Sequence, residues 1–376
     1  MKVIQIVDHL SMGGGVNSFV FDLCYALKGQ GCDVSLIGIQ NGSEKNPEID
    51  KLRNAGIQVE CIGASSKKDA ILHYVSKLRK VVATIASGED TICNLHLKLS
   101  VLMGVLATRS LKNVKCVETY HNTYHHYHLQ CWACSPFIKK YICVSKTAME
   151  EMHRRFKTPY KKMVAIPNGV SRERIRKIAQ ADQNNNTNKN VLHIASVGRM
   201  SYEKNFMVPV KAFVELCDEN TVYTLVGRGP QEQEIEAVAS SNPYIYMTGA
   251  LKREEALHTL AEADIVVMPS LWEGRSILQL EAMALDKPMI ISDVPGLREP
   301  FDEQPLQENE NFRICRFGYL VRTNDERAYV MAIEHFIKHR DRALGIQEYL
   351  KKISKENDLS KVAEKYFEVY NCVEKL

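Results

Sequence analysis

Largely apolar runs alternate along the chain with stretches whose apolar residues recur at helical spacing, and this alternation predicts repeated strand-helix units. Residues 2–7 form the first run, followed by the turn Gly13-Gly14-Gly15 and a helix-spaced stretch over 16–27. Further runs at 34–39, 58–62, 91–95, 115–119, 141–144 and 163–166 read as strands, with helical patterns between most of them. Strands that are apolar on both faces belong in a parallel sheet covered by helices on either side. A second series at 193–197, 222–226, 244–247, 264–268 and 288–291 predicts the same architecture again. The halves are alike in pattern and not in sequence.

Between the two series the chain turns polar. Residues 171–190 carry closely spaced Arg and Lys and then an Asn-rich run, which predicts a linker. The expected fold class is α/β, with two doubly wound, Rossmann-like parallel-sheet domains facing each other across a cleft. Their expected bounds are residues 1–170 and 191–355. Residues 356–376 are expected to form a C-terminal helix, with Val362, Tyr366, Val369 and Tyr370 at helical spacing. Either it simply covers a core or it packs back on the N-terminal domain.

Composition changes this picture little. At 376 residues the chain exceeds what one core usually fills, and 45% hydrophobic with 25% charged residues excludes disorder. Apolar runs stay far below the roughly 20 residues that cross a bilayer, and the first residues lack a signal-peptide pattern. The expected location is cytoplasmic, including a peripheral place at the inner membrane face. The 11 scattered cysteines suit reduced, buried thiols.

Charge is more informative. The net charge is +4, yet residues 1–178 carry +12 and the remainder −8. Such asymmetry suits an acidic partner for the N-terminal half, whether phospholipid headgroups, a lipid diphosphate or nucleic acid. A solvated basic surface is the alternative. Lys67, Lys68, Lys77, Arg79 and Lys80 alternate with Ile71, Leu72, Val75 and Leu78, as in a basic amphipathic helix. That helix would either contact an anionic membrane surface or pack its apolar face on the sheet.

Ligands of parallel sheets bind beyond the carboxyl ends of strands, so residues just after the runs carry the chemistry. After 193–197 come Gly198-Arg199 and Glu203-Lys204-Asn205. A guanidinium and an ammonium one loop apart, next to a helix N-terminus, suit a diphosphate. After 222–226 comes Gly227-Arg228-Gly229-Pro230, a tight turn leading into a helix. After 264–268 comes the stretch W-E-G-R-S-I-L-Q-L-E-A-M-A, with Glu273 at the predicted helix start and Glu281 on its second turn. Carboxylates there can accept hydrogen bonds from the paired hydroxyls of a sugar.

With these motifs, and Pro288 to Asp293 reading P-x-I-x-S-D, the chain resembles the retaining family 4 glycosyltransferases of the GT-B fold, the group 1 type of bacterial surface polysaccharide synthesis. The N-terminal part of the resemblance rests on Gly13 to Gly15, His96, His121-Asn122, Val144-Ser145 and Pro167 to Val170. The resemblance implies an acceptor domain at 1–170 and a nucleotide-sugar donor domain at 191–355. It implies that Arg199 and Lys204 grip the donor diphosphate, Glu281 the ribose and Glu273 the hydroxyls of the transferred sugar. It places the amides of Ser276 and Ile277 by sugar and phosphate, with Gly198, Gly227 and Gly229 in the donor site. His121 would approach the sugar, and Gly14 and Gly15 would let backbone near the reacting centre. Asn17 stands where the family commonly has an acidic residue, and Arg275-Ser276 replaces an aromatic-glycine pair.

The implied activity is retaining transfer of a hexose-type sugar from a nucleotide-diphosphate sugar, a UDP-sugar first, to a glycan or lipid-linked acceptor. Assistance comes from the donor phosphate, and no protein nucleophile is assigned. No D-x-D motif occurs, so no metal or other cofactor is expected, and nucleic acid is not an expected partner. A zinc reading of His121, His125, His126, His128, Cys131 and Cys134 fails for want of a second matching pair. A dinucleotide oxidoreductase fails because Ser18 occupies the third glycine position of G-x-G-x-x-G. A non-catalytic nucleotide-sugar or glycan-binding subunit, and a GT-B epimerase or phosphorylase, remain the alternatives.

Overall fold

The structure, a computed structural model, describes residues 1–11, 14–40, 46–121, 132–180, 191–216, 218–301, 304–340 and 343–375. The chain divides into two compact units, Met1–Gly169 with Leu359–Leu376, and Val170–Asp358.

In the first unit the strands are β1 (Lys2–His9), β2 (Asp33–Gln40), β3 (Gln58–Ala64), β4 (Thr91–His96), β5 (Val114–Tyr120), β6 (Ile138–Cys143) and β7 (Met163–Ala165). They form one parallel sheet in the order β3-β2-β1-β4-β5-β6-β7. All six residues of β4 are buried, as a central strand covered on both faces requires. The helix Leu359–Glu374 belongs to this unit. It buries Leu359, Val362, Ala363, Tyr366, Tyr370 and Val373, and Lys115 Nζ donates to the carbonyl of Glu374 at 2.6 Å.

The basic stretch at 67–80 is not one regular helix. A turn at Lys67–Asp69 and a π-helical segment at Ala70–Tyr74 precede the helix Val75–Ala86. Leu78, Val82 and Ala86 pack inward, whereas Ile71 and Leu72 are 40% and 63% exposed.

The second unit has β8 (Leu192–Val197), β9 (Thr221–Val226), β10 (Ile245–Gly249), β11 (Ile265–Met268), β12 (Met289–Ser292), β13 (Gln307–Glu308), β14 (Phe312–Cys315) and β15 (Gly318–Val321). Their order is β10-β9-β8-β11-β12-β15-β14-β13. The sheet is parallel as far as β15, and β14 and β13 add an antiparallel edge. Both that edge and β15 are absent from the sequence reading, because Arg313 and Arg316 break the apolar run and mask the strand pattern.

Residues 171–190 were expected to be a linker, but the first half is ordered as the helix Arg172–Gln180. Ile175 and Ala179, one turn apart, are buried. The arginines anchor the helix: Arg172 binds Asp286 through both terminal nitrogens, at 2.8 and 2.9 Å, and Arg176 Nε donates to the carbonyl of Ala284 at 3.1 Å. Closely spaced charges that suggested solvent are therefore ties to the second unit. Residues 181–190 lie outside the described residues.

No disulfide joins the described cysteines, and most are buried. Burial pushes the Cys116 and Cys143 thiols up to about 11 and about 12.

Candidate active site

The order of the second sheet reverses between β8 and β11, and the loops after these two strands hold the sequence-predicted donor residues. Such a switch point opens a crevice at the strand ends. Backbone packing builds the loops. Gly198 N donates to Val226 O at 2.9 Å, and Met200 N to Arg228 O at 3.0 Å. Gly227 has φ +137°, and a Cβ there would lie 1.9 Å from Gly198 O. At Gly229 a Cβ would lie 2.2 Å from Met200 O. These glycines bring the loops after β8 and β9 into main-chain contact, so their part in the site is close packing.

After Met200 the chain makes a tight turn, Tyr202–Lys204, and Asn205 adopts φ +54°. Asn205 Nδ2 donates to Pro269 O at 3.3 Å, and Leu271 N donates to Glu203 O at 2.8 Å. These bonds tie the two loops together and bring Lys204 Nζ into a short ion pair with Glu273 Oε1. Ser270 Oγ donates to the same oxygen at 3.0 Å. Lys204 and Glu273, expected to hold different parts of a ligand, thus hold each other. Arg199 is exposed, and its guanidinium has no ion-pair or hydrogen-bond partner among the described residues.

Ser276 precedes the helix Ile277–Ala284 and its side chain makes no capping bond. The first amides of a helix lack intrahelical acceptors and attract anions. Glu281, on the second turn, pairs with Arg253 at 3.2 Å. Arg275 is buried, with Nη2 donating to Asn357 Oδ1 at 2.6 Å. Burial lowers its guanidinium to about 10. The residue that replaces the family's aromatic is therefore a structural tie.

Sequence reasoning missed three contributors here. Ser270 and Arg253 hold the two glutamates. Gly296 lies against the Glu273 loop, and a Cβ on it would lie 2.0 Å from Glu273 O. Its signal was the Pro295-Gly296 pair just after β12.

The first sheet reverses between β1 and β4. Gly14, with φ +94°, precedes the helix Gly15–Gly29, and both glycines are exposed. Asn17 is buried, and its Nδ2 donates to Ser11 O at 3.1 Å. His96 ends β4 and His121 follows β5, with His96 Nδ1 2.9 Å from His121 Nε2. Burial holds His96 well below the ordinary histidine range and lowers His121 to about 3, so both are neutral at pH 7. Gly13, Asn122, His125, His126, His128 and Cys131 lie outside the described residues.

The family model described as Glycosyltransferase Family 4 matches residues 13–174, and that described as Glycosyl transferases group 1 matches residues 192–339. The chain belongs to these glycosyltransferases. Its two Rossmann-like units are those of the GT-B fold. This glycosyltransferase is 27% identical over 168 residues to an uncharacterized glycosyltransferase of Methanocaldococcus jannaschii, a match covering 42% of this chain and 43% of the relative. It is 23% identical over 364 residues to the UDP-Gal:alpha-D-GlcNAc-diphosphoundecaprenol alpha-1,3-galactosyltransferase of Escherichia coli, covering 88% of this chain and 86% of that one. The matched region thus spans less than half of the former relative. Among solved structures, Anabaena HepE in complex with UDP and glucose superposes with a TM-score of 0.78 at 14% identity, covering 99% of this chain and 100% of that one. Among the described residues no helix is long and apolar enough to cross a membrane.

Proposed function

We propose that the protein transfers a hexose-type sugar, with retention, from a nucleotide-diphosphate sugar to a lipid-linked or glycan acceptor in surface polysaccharide synthesis. The observation that carries this is the Lys204–Glu273 pair beside the exposed Arg199, on the two loops that flank a sheet switch point. An arriving diphosphate takes the ammonium of Lys204 and the fork of Arg199. Glu273 is then released to accept hydrogen bonds from sugar hydroxyls, and Glu281 does the same for the ribose. As the sugar leaves, negative charge grows on the diphosphate, and fixed cations together with the amides of Ser276 and Ile277 stabilise it. Two cations at the phosphates make a metal unnecessary to this scheme.

A UDP-sugar is favoured because the Escherichia coli relative is named for UDP-Gal and the Anabaena structure holds UDP. That relative's name also contains a diphosphoundecaprenol acceptor. A lipid-borne acceptor agrees with the excess positive charge of residues 1–178 and with Ile71 and Leu72 standing exposed among basic residues. On this reading the protein works at an anionic membrane surface.

Calorimetry with a panel of nucleotide sugars, with and without excess EDTA, tests the donor. One UDP-sugar is expected to bind and release UDP in either condition. Turnover abolished by EDTA and restored by Mg²⁺ would overturn the metal-free scheme. A panel without binding would overturn the donor assignment.

A further inference from the structure

A file of buried polar side chains crosses the first sheet to His121, and the transfer scheme above leaves the whole of it unused. It starts on the helix Leu359–Glu374, where Tyr370 Oη accepts from Gln5 Nε2 at 3.2 Å. This turns the Gln5 carbonyl toward β4. Asn94 Nδ2 donates to Gln5 Oε1 at 3.0 Å, and His96 Nε2 lies 2.7 Å from the same oxygen. The carbonyl of Asn94 accepts from Thr119 Oγ1 at 2.9 Å, which leaves its Nδ2 as the donor. A carboxamide oxygen has no proton to give, so His96 Nε2 carries one. The 3.1 Å between Asn94 Nδ2 and His96 Nε2 separates two donors that converge on one oxygen.

Neutral His96 with a proton on Nε2 has its lone pair on Nδ1, 2.9 Å from His121 Nε2. His121 must then donate through Nε2, and its own lone pair lies on Nδ1. Gln5, Asn94, His96 and Tyr370 are each 0% exposed. Water cannot replace a lost partner there, so the donor-acceptor order is held along the whole file.

We infer that Tyr370, Gln5 and His96 are positioning residues that fix the tautomer of His121, leaving its Nδ1 as an acceptor for the hydroxyl of a ligand. The turnover test below rests on the proposed function; the tautomer itself does not. A site so arranged takes a neutral hydroxyl and rejects a carbonyl or carboxylate at that position, because two acceptors would face each other.

Long-range nitrogen-proton NMR on histidine-labelled protein reads the tautomers directly. Wild type is expected to show His96 and His121 both protonated at Nε2. Gln5→Leu, which removes the acceptor, should change both signals, and Gln5→Glu, which keeps an oxygen there, should restore them. With the UDP-sugar selected by the donor panel, Gln5→Leu should lower kcat roughly tenfold, the scale of losing a partner that orients a site group. Donor KM should hold, and Gln5→Glu should recover most of the rate. Tyr370→Phe, a smaller change in the same core, should shift the spectrum in the same direction. A wild-type His121 protonated at Nδ1 overturns the relay, whatever the donor. A His121→Ala variant that turns donor over like wild type overturns the ligand role of His121, and leaves the proposed function standing on Arg199 and Lys204.

Discussion

Gly296 offers a way to move Glu273 without touching its chemistry. It lies in the short helix Pro295–Arg298, and an added Cβ would stand 2.0 Å from Glu273 O, 2.6 Å from Glu273 C and 3.0 Å from Gly274 O. Close carbon-oxygen contacts are about 3.3 Å, so Gly296→Ala forces helix and loop apart by more than about 1 Å. The helix side is held by fully buried Leu297, whose carbonyl accepts from Gln279 Nε2 at 2.6 Å. The loop therefore gives most of the distance. Overpacking of this kind costs about 1–3 kcal/mol, which should lower Tm by several degrees. A displacement near 1 Å at a positioned group costs roughly 10²-fold in rate, so kcat/KM for release of nucleoside diphosphate should fall by about that factor. The control is Gly345→Ala in the helix Ala343–Glu356, where a Cβ meets nothing within 4 Å; it should be neutral to slightly stabilising and fully active. A Gly296→Ala protein that loses the expected stability yet turns over like wild type would refute the reasoning, because Glu273 would then have moved without consequence.

On the proposed scheme, removing Lys204 or Arg199 should lower kcat by roughly 10²-fold, because both cations would face charge that grows in the transition state. Arg199→Lys should rescue only partly, since an ammonium cannot reproduce a bidentate fork; steady-state turnover like wild type in both alanine variants would end the assignment of the site. Glu281→Ala should mainly raise donor KM, because a carboxylate on a ribose is bound alike in ground and transition states. An unchanged KM with a collapsed kcat would contradict that role. Glu118 is buried in β5, and desolvation raises its carboxyl to about 8. The folded chain then keeps a proton that the unfolded chain releases above its ordinary value of 4.5. Glu118 accordingly costs stability as pH rises from there toward 8, at up to about 1.4 kcal/mol per unit. Glu118→Gln should gain on wild type between pH 5 and pH 8 in urea unfolding, and parallel curves would show that the burial cost is absent.

The strands were legible because a residue with both faces covered is usually apolar, and β11 and β12 obey that rule at every position but Ser292. The pair β13 and β14 was not, since β13 is two exposed residues and Arg313 breaks the apolar pattern of β14. The helix Arg172–Gln180 was hidden for a related reason. Its arginines look solvated in sequence, and only the distant Asp286 and Ala284 reveal them as anchors.

The same distinction divides the site. Arg199, Lys204 and Glu273, the proposed site residues, stood out because no packing rule explains charges placed just after strands, and Glu281 stood out as an acid on a largely apolar helix. Gly296 acts through a backbone atom 23 residues away in sequence, and nothing local records the distance. The file from Tyr370 to His121 falls between these cases. Gln5 interrupts an apolar strand and Asn94 interrupts another, and the two are register partners across β1 and β4. A polar residue in the middle of a buried strand carries a cost that only a partner offsets. Two such residues in neighbouring central strands therefore point to each other before any contact is known. What sequence cannot supply is the direction of each hydrogen bond. In this chain donation runs from Thr119 into Asn94 and from His121 through His96 and Gln5 to Tyr370, and that direction decides whether Nδ1 of His121 is left as an acceptor.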